Sequence, residues 1–292
     1  MIIAVVGPTA VGKTKMSVML AKKYDAIIIN SDAMQVYKDL NIGTAKVTEE
    51  EKEGVPHFLF DIKDVNEDYS IYDYQKDVRN LLEKYKNRNI VFVGGTGLYL
   101  KSVLYDYDFE KESSHNDYRN YSNEELYNMA LKKDKNCNIH PNNRIRLERF
   151  LDKEKLTTKE PVKLYDHIII GLTLDRDVLY DRINKRVDVM IKDGLLDEVK
   201  SFYDKKIFSK PLINGIGYKE LYEYFDGKVS LEEAINNIKQ NSRHYAKRQY
   251  TFFNHQLSVN WFDVNLDNFE ETYLNVVNFI DKSRGNNNEK HN

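Results

Sequence analysis

Residues 2–14 read IIAVVGPTAVGKT, an apolar run followed by a glycine-rich turn. The turn, Gly7-Pro8-Thr9-Ala10-Val11-Gly12-Lys13-Thr14, carries the complete phosphate-loop pattern G-x-x-x-x-G-K-[ST]. Ile2–Val6 predicts a buried strand and Lys15–Ala21 a helix, which is the setting that gives the pattern its physical meaning. Glycines let successive backbone amides converge on a phosphate at the positive end of the following helix. Lys13 adds a point charge, and the Thr14 hydroxyl is placed to hold a magnesium ion. A turn without function would not need strand, loop and helix to agree. The stretch therefore implies a chain that binds a di- or triphosphate through Gly7, Pro8, Thr9, Ala10, Val11, Gly12, Lys13 and Thr14.

Outward from this stretch, short apolar runs recur at 26–29, 90–93 and 167–172 with helix-patterned segments between them. Strands alternating with helices predict an α/β fold, a P-loop NTPase-like parallel sheet flanked by helices and joined by right-handed crossovers. Apolar positions 71, 74, 78, 81, 82 and 85 repeat with a helical period ahead of the strand at 90–93. Both Gly7–Thr14 and the turn Gly94–Gly97 then fall at the carboxyl edge of the sheet, where ligands bind in such folds. From 104 to 163 the chain changes character. Asp106–Tyr121 is polar and weakly periodic, Glu124–Lys133 is helix-like, and a basic helix starts after Pro141. We read 104–163 as a small helical insertion in a core made of 1–103 and 164–280. Segments 175–192, 194–204, 215–225 and 230–253 read as helices, Leu257–Phe262 as an edge strand, and 283–292 as a disordered tail.

The length of 292 residues, 41% of them hydrophobic, suits one α/β domain with an embellishment. A single cysteine, Cys137, excludes an intrachain disulfide and fits a reducing cytoplasm. No apolar stretch is long enough to span a membrane, and MIIAVVGP lacks the basic flank of a signal peptide. A formal net charge of −2 argues against a general coating of nucleic acid, yet local basic patches remain. Arg243–His255 holds three cations and two histidines without an acid, and Arg144–Arg149 is similarly basic. Such clusters, interleaved with aromatic residues, suit RNA, although aromatics more often serve the core.

The second strand runs Ile27-Ile28-Ile29-Asn30-Ser31-Asp32, which puts Asp32 at the carboxyl edge near the phosphate loop. It is a candidate Walker-B acid; the competing role is a cap for the next turn. Asn41-Ile42-Gly43-Thr44-Ala45-Lys46 beyond it could line a pocket or form a surface turn. With these residues in hand, GPTAVGKT, NSDAMQVYKDLNIGTAK, VGGTGLYLK, IHPNNRIRLER, LYDRINKRVDVMIKDGLLDEV, INGIGYKEL and RHYAKRQYTFF occur in order. Together they resemble the tRNA dimethylallyltransferases, also called tRNA isopentenyltransferases, from residue 1 to about 263.

The resemblance implies that the dimethylallyl group of dimethylallyl diphosphate moves to the exocyclic amine of the adenosine at tRNA position 37, beside the anticodon. The phosphate loop would cradle the departing diphosphate with Lys13, and with Mg2+ on Thr14. The family's acid maps to Asp32, its catalytic arginine to Arg186. Arg182, four residues earlier on one helical face, can point at the same anion, unless both cations pair with Asp181 or Asp188. Contacts to tRNA map to Asp32, Ala33, Met34, Gln35, Thr96, Arg119, Arg146, Arg149, Gly215, Gly217, Lys247, Arg248 and Gln249. In this reading Gly215 and Gly217 let the backbone approach RNA, and Tyr250, Phe252 and Phe253 either stack on bases or fill the core. The sequence departs from the family at Val11 and Ala33, where serine is usual, and at Arg149-Phe150-Leu151-Asp152 for R-A-L-E. The insertion between Leu104 and His140 is also shorter than usual. The expected partners are the tRNA anticodon stem-loop and dimethylallyl diphosphate, with no membrane; the expected enzyme is a cytoplasmic monomer. The alternatives are an adenylate isopentenyltransferase acting on free AMP, ADP or ATP, against which the basic runs favour RNA, and a P-loop kinase, which would require an ATP-base pocket and lid arginines.

Overall fold

The computed structural model describes residues 1–107, 116–152 and 162–289. The chain divides into two compact units, 1–105 with 163–292 and 106–162. In the first unit a six-stranded, all-parallel sheet has the order β3-β2-β4-β1-β5-β6. Its strands are β1 (Ile2–Val6), β2 (Ala26–Asn30), β3 (His57–Phe58), β4 (Asn89–Val93), β5 (His167–Thr173) and β6 (Asn260–Asp263).

The helices of this unit up to the insertion are α1 (Lys13–Lys23), α2 (Glu49–Lys52), α3 (Ile71–Lys84) and α4 (Gly97–Leu104). The insertion carries α5 (Asn123–Lys133) and α6 (Arg144–Asp152). Beyond it come α7 (Arg176–Lys192), α8 (Leu195–Asp204), α9 (Lys210–Asn214), α10 (Tyr218–Phe225), α11 (Leu231–Gln256) and α12 (Phe269–Glu289).

The strands are apolar along both faces because both faces are covered. Ile3, Val5, Ile28, Val91, Ile170 and Leu172 point into a core shared with α1, α7 and α12. Their neighbours Ile2, Ala4, Val6, Ile27, Ile29 and Phe92 point the other way, against α3 and α4. This period of two is the sheet's own geometry. A third core joins Val36, Tyr37 and Leu40, just after β2, to α8, α10 and α11. It anchors the segment that follows Asp32 to the helical half of the chain.

The strand order sets β2, β4, β1 and β5 side by side. Their carboxyl ends therefore bring Asn30-Ser31-Asp32, Gly94–Gly97 and the phosphate loop together on one edge. In the second unit, Tyr118, Leu126, Ala130, Cys137 and Leu147 form a small core, and Arg144 bonds the carbonyls of Tyr118 and Tyr121. Of the polar stretch Asp106–Tyr121, residues 108–115 lie outside the described residues. The tail expected to be disordered from Ser283 instead continues α12 to Glu289. That helix is held by Val276, Val277 and Ile280 in the core, and extending a formed helix costs little per residue. Residues 290–292 lie outside the described residues.

Candidate active site at the carboxyl edge of the sheet

The phosphate loop is shaped by two glycines that admit no side chain. Gly7 has φ +139°, and a Cβ there would lie 2.5 Å from the Leu172 carbonyl oxygen on β5. Gly12, φ +94°, is the N-cap of α1 and supplies no side-chain cap, so first-turn amides of α1 remain for a ligand. Ala10 is also left-handed, at φ +67°, and its carbonyl accepts a 2.9 Å hydrogen bond from Arg182 Nε. Lys13 Nζ donates to the Pro8 carbonyl at 2.7 Å. Val11, the departure from serine, is buried in the core away from the cradle.

Asp32 is held by its neighbours. The Asn30 side chain accepts the Asp32 amide at 2.9 Å and donates to the Asp32 and Leu59 carbonyls, each at 3.0 Å. One carboxylate oxygen, Oδ1, accepts the Met34 amide at 2.9 Å. Asp32 is thus a turn cap as well as an acid at a strand end; among the described residues Oδ2 takes no hydrogen bond. The Gly94–Gly97 turn lies against it, with the Thr96 amide bonded to the Ser31 carbonyl and the Thr96 hydroxyl accepting the Ala33 amide at 3.1 Å. A Cβ on Gly94 would sit 2.2 Å from Ser31 backbone atoms, so this approach requires glycine.

Three cations and this acid share one electrostatic neighbourhood. Burial pushes Lys13 down to about 8; Arg186 adds to the push and Asp32 opposes it. Burial also lowers Arg186, which Asp32 and Glu51 pull back up and Arg182 lowers further. The acids beside these arginines on α7 are paired elsewhere, Asp181 with Lys185 and Asp188 with Lys239. Arg182 and Arg186 are therefore directed at the phosphate loop and Asp32, not at a solvated face.

The wall opposite comes from α11. Gln249 is buried, and its Nε2 donates to the Gly95 carbonyl at 3.1 Å, while among the described residues its Oε1 has no partner. Tyr245, part of the motif RHYAKRQYTFF but not among the expected site residues, interacts with Thr96, Gln249 and Asp32, and burial followed by the Asp32 charge raises its phenol. It sits one helical turn before Gln249, and that spacing beside a predicted contact was the available signal. Lys247 and Arg248 are exposed, and Arg248 lies over the Tyr245 ring. The packing of the fold itself accounts for several of these residues. Phe253 is fully buried and packs in the core with Phe252 against Gly97, and the Tyr250 hydroxyl is bonded to Thr173, so these aromatics serve the fold. Gly215 is demanded by the protein itself: a Cβ would meet Pro211 O at 2.4 Å and Met34 Cε at 2.7 Å. Gly217, at φ +95°, opens α10, where its amide bonds Glu220.

Gln35 hangs from the loop after β2, with Nε2 bonded to the Thr44 and Ala45 carbonyls at 3.0 and 3.3 Å. Arg119, Arg146 and Arg149 belong to the second unit. There Arg119 is paired with Asp117, and Arg146 and Arg149 are exposed on α6. Among the described residues no group of three His, Cys, Asp or Glu is arranged to hold a metal. The residue that could contribute to a hard cation bound with a phosphate is Thr14, whose hydroxyl lies in the first turn of α1. Among the described residues no helix is long and apolar enough to cross a membrane.

Comparison with known proteins shows the family and the fold. The family described as IPP transferase matches residues 35–256. The tRNA dimethylallyltransferase of Halalkalibacterium halodurans is 44% identical over 301 aligned positions, covering 96% of each chain. The solved tRNA isopentenylpyrophosphate transferase of Bacillus halodurans superposes with a TM-score of 0.79 over 100% of this chain and 99% of that one, at 44% identity. A eukaryotic dimethylallyltransferase captured acting on tRNA gives 0.77 at 27% identity, over 90% of this chain and 73% of its own.

Proposed function

The chain belongs to the IPP transferase family, and from that premise we propose how its site moves a dimethylallyl group from dimethylallyl diphosphate to the exocyclic amine of the adenosine beside the anticodon of tRNA. The observation that carries the reading is the convergence of Lys13, Arg186 and Asp32 at the end of α1. P-loop kinases also set cations on the phosphates and a carboxylate at the acceptor, so the choice of prenyl transfer over phosphoryl transfer rests on the match to the IPP transferases.

The diphosphate lies in the cradle of Gly7–Thr14, on the first amides of α1. Lys13 exchanges the Pro8 carbonyl for a phosphate oxygen, and Arg186 meets the charge that grows as the allylic C–O bond breaks. The electron pair of that bond leaves with diphosphate. Thr14 would hold a magnesium ion, which when bound would supply further neutralisation of the leaving group. Asp32 accepts a hydrogen bond from the adenine amine, orients it, and takes its proton as the new C–N bond forms. The amine is a weak nucleophile because its lone pair is delocalised into the ring, so an oriented acceptor is worth more here than for an alkyl amine. Asn30 fixes the Asp32 backbone, and the Met34 amide holds the carboxylate in place.

Reaching one amine of one base requires the nucleotide to leave its stack, which costs less in a single-stranded loop. Lys247 and Arg248 hold backbone phosphates in this reading, as do Arg146 and Arg149 on the second unit. Gln35, Thr96 and Gln249 border the base. A tRNA substrate fits a cytoplasmic site of action, and one chain supplies every residue named, which fits a monomer. Incubation with labelled dimethylallyl diphosphate, magnesium, and either unmodified tRNA or AMP tests the reading. Label is expected in tRNA alone; label in AMP alone, or in neither, would sink it.

A further inference from the structure

Glu198 lies on α8, far from Asp32 in sequence, yet its carboxylate is completely committed to the loop that follows β2. Oε2 accepts the amides of Asn41 at 3.0 Å and Ile42 at 2.8 Å. Oε1 accepts the Gly43 amide at 3.0 Å and the Tyr218 hydroxyl at 2.6 Å. An ionised carboxylate only accepts, and hydrogen bonds to it are stronger than those between neutral groups. Four donors converging on it hold three consecutive backbone amides in one orientation. Gly43 completes the fit, because a Cβ there would lie 2.6 Å from the Tyr218 ring.

The same loop carries Gln35. After Gly43 it turns back on itself, with the Ala45 amide on the Ile42 carbonyl at 2.9 Å and Ala45 itself at φ +46°. This aims the Thr44 and Ala45 carbonyls at Gln35, which meets both with Nε2. Two carbonyl partners leave no choice of amide orientation: the NH2 end must face the loop, so Oε1 is presented on the other side as an acceptor. The oxygen is thereby the end of the amide that the loop does not engage, three residues from Asp32.

We propose that Glu198, with Tyr218, is a positioning residue for the adenosine substrate, acting through loop 41–45 to hold the Gln35 amide with its oxygen toward the base. This rests on the reading of Gln35 as a base contact. Glu198 itself touches neither substrate.

Steady-state kinetics of the full chain, with unmodified tRNA and dimethylallyl diphosphate varied separately, test it through a double-mutant cycle. Glu198→Gln places an amide donor against backbone donors, and is expected to raise the KM for tRNA about tenfold while the KM for dimethylallyl diphosphate stays within about twofold. Gln35→Ala should do the same, and the double variant should be no worse than Gln35→Ala alone. Should Glu198→Gln fail to fold, Tyr218→Phe removes one donor from the carboxylate and carries the same cycle with a smaller shift. Full additivity, or an equal rise in both KM values, would make Glu198 a purely structural residue and overturn the proposal. A Gln35→Ala variant with unchanged tRNA kinetics would refute the base contact, and the role of Glu198 would fall with it.

Discussion

The Lys13 ammonium donates a 2.7 Å hydrogen bond to the Pro8 carbonyl, so the phosphate loop is closed on its own lysine. A diphosphate has to take over that ammonium, and how readily it does so depends on the proton. Burial and Arg186 hold Lys13 down at about 8, so the site loses this one of its three cations as the pH rises through that value. A bound anion favours the charged form and restores the proton. We expect kcat/KM for dimethylallyl diphosphate to be level below pH 7 and to fall above about 8, with proton uptake on binding measurable by calorimetry in buffers of different ionisation enthalpy. The stability effect has the opposite sense: between about 8 and the ordinary 10.5 the unfolded chain binds more protons, so this group's contribution to stability rises with pH. Lys13→Met should cost on the order of 10²–10³ in kcat/KM and abolish the inflection. A level profile to pH 10 in the unaltered enzyme would refute the assignment.

Asp32→Asn separates the two duties of this side chain. Asparagine keeps an oxygen that can accept the Met34 amide, so the turn survives, but it cannot take a proton from the adenine amine. We expect kcat to fall about 10²–10⁴-fold, with tRNA binding, measured by filter retention, changed less than about threefold and the thermal midpoint unchanged. Lost binding with near-normal turnover would make Asp32 a structural cap.

How much of this was legible depends on the range over which each signal acts. β1, the phosphate loop and α1 are local: an apolar run, glycines at fixed offsets and a helical period suffice. Asp32 was legible for the same reason, because an apolar run ends on it. β3 was not, since two residues, His57 and Phe58, carry no periodicity and become a strand only by pairing with β2. The aromatics after Arg248 illustrate the opposite problem. Tyr250, Phe252 and Phe253 look alike in sequence, and only the packing of α11 on Gly97 and Thr173 shows that they face inward. Glu198 falls within the quoted motif ending GLLDEV, but its role was not legible there, because its four donors come from Asn41–Gly43 and Tyr218.

Gly12 is constrained twice, by φ +94° and by the Phe269 ring 2.8 Å from where a Cβ would lie. Gly12→Ala is therefore expected to destabilise the protein by about 1–2 kcal/mol through the backbone alone, plus a steric cost. In a Phe269→Ala background the steric part should vanish and the backbone part remain. Phe269→Ala also gives up the contact with Lys15, 4.9 Å from the ring, worth up to about 1 kcal/mol at an exposed site. Chemical denaturation of the two single variants and the double measures the coupling. Strict additivity would show that the ring does not confine Gly12.

Lys247, Arg248 and Gln249 are consecutive on α11 but differ in burial, and their substitutions should differ in kind. Lys247 and Arg248 are exposed, whereas Gln249 is buried on the Gly95 carbonyl. A cation on a loop phosphate releases counterions, so Lys247→Ala and Arg248→Ala should each lower the slope of log K for tRNA against log salt by about 0.7. Their kcat at saturating tRNA should stay within about twofold. Gln249→Ala leaves the Gly95 carbonyl without its donor, and should cost about 1–3 kcal/mol of stability while the salt slope stays as it was. Titrations at several salt concentrations decide: an unchanged slope for both cationic variants would remove this end of α11 from the tRNA surface.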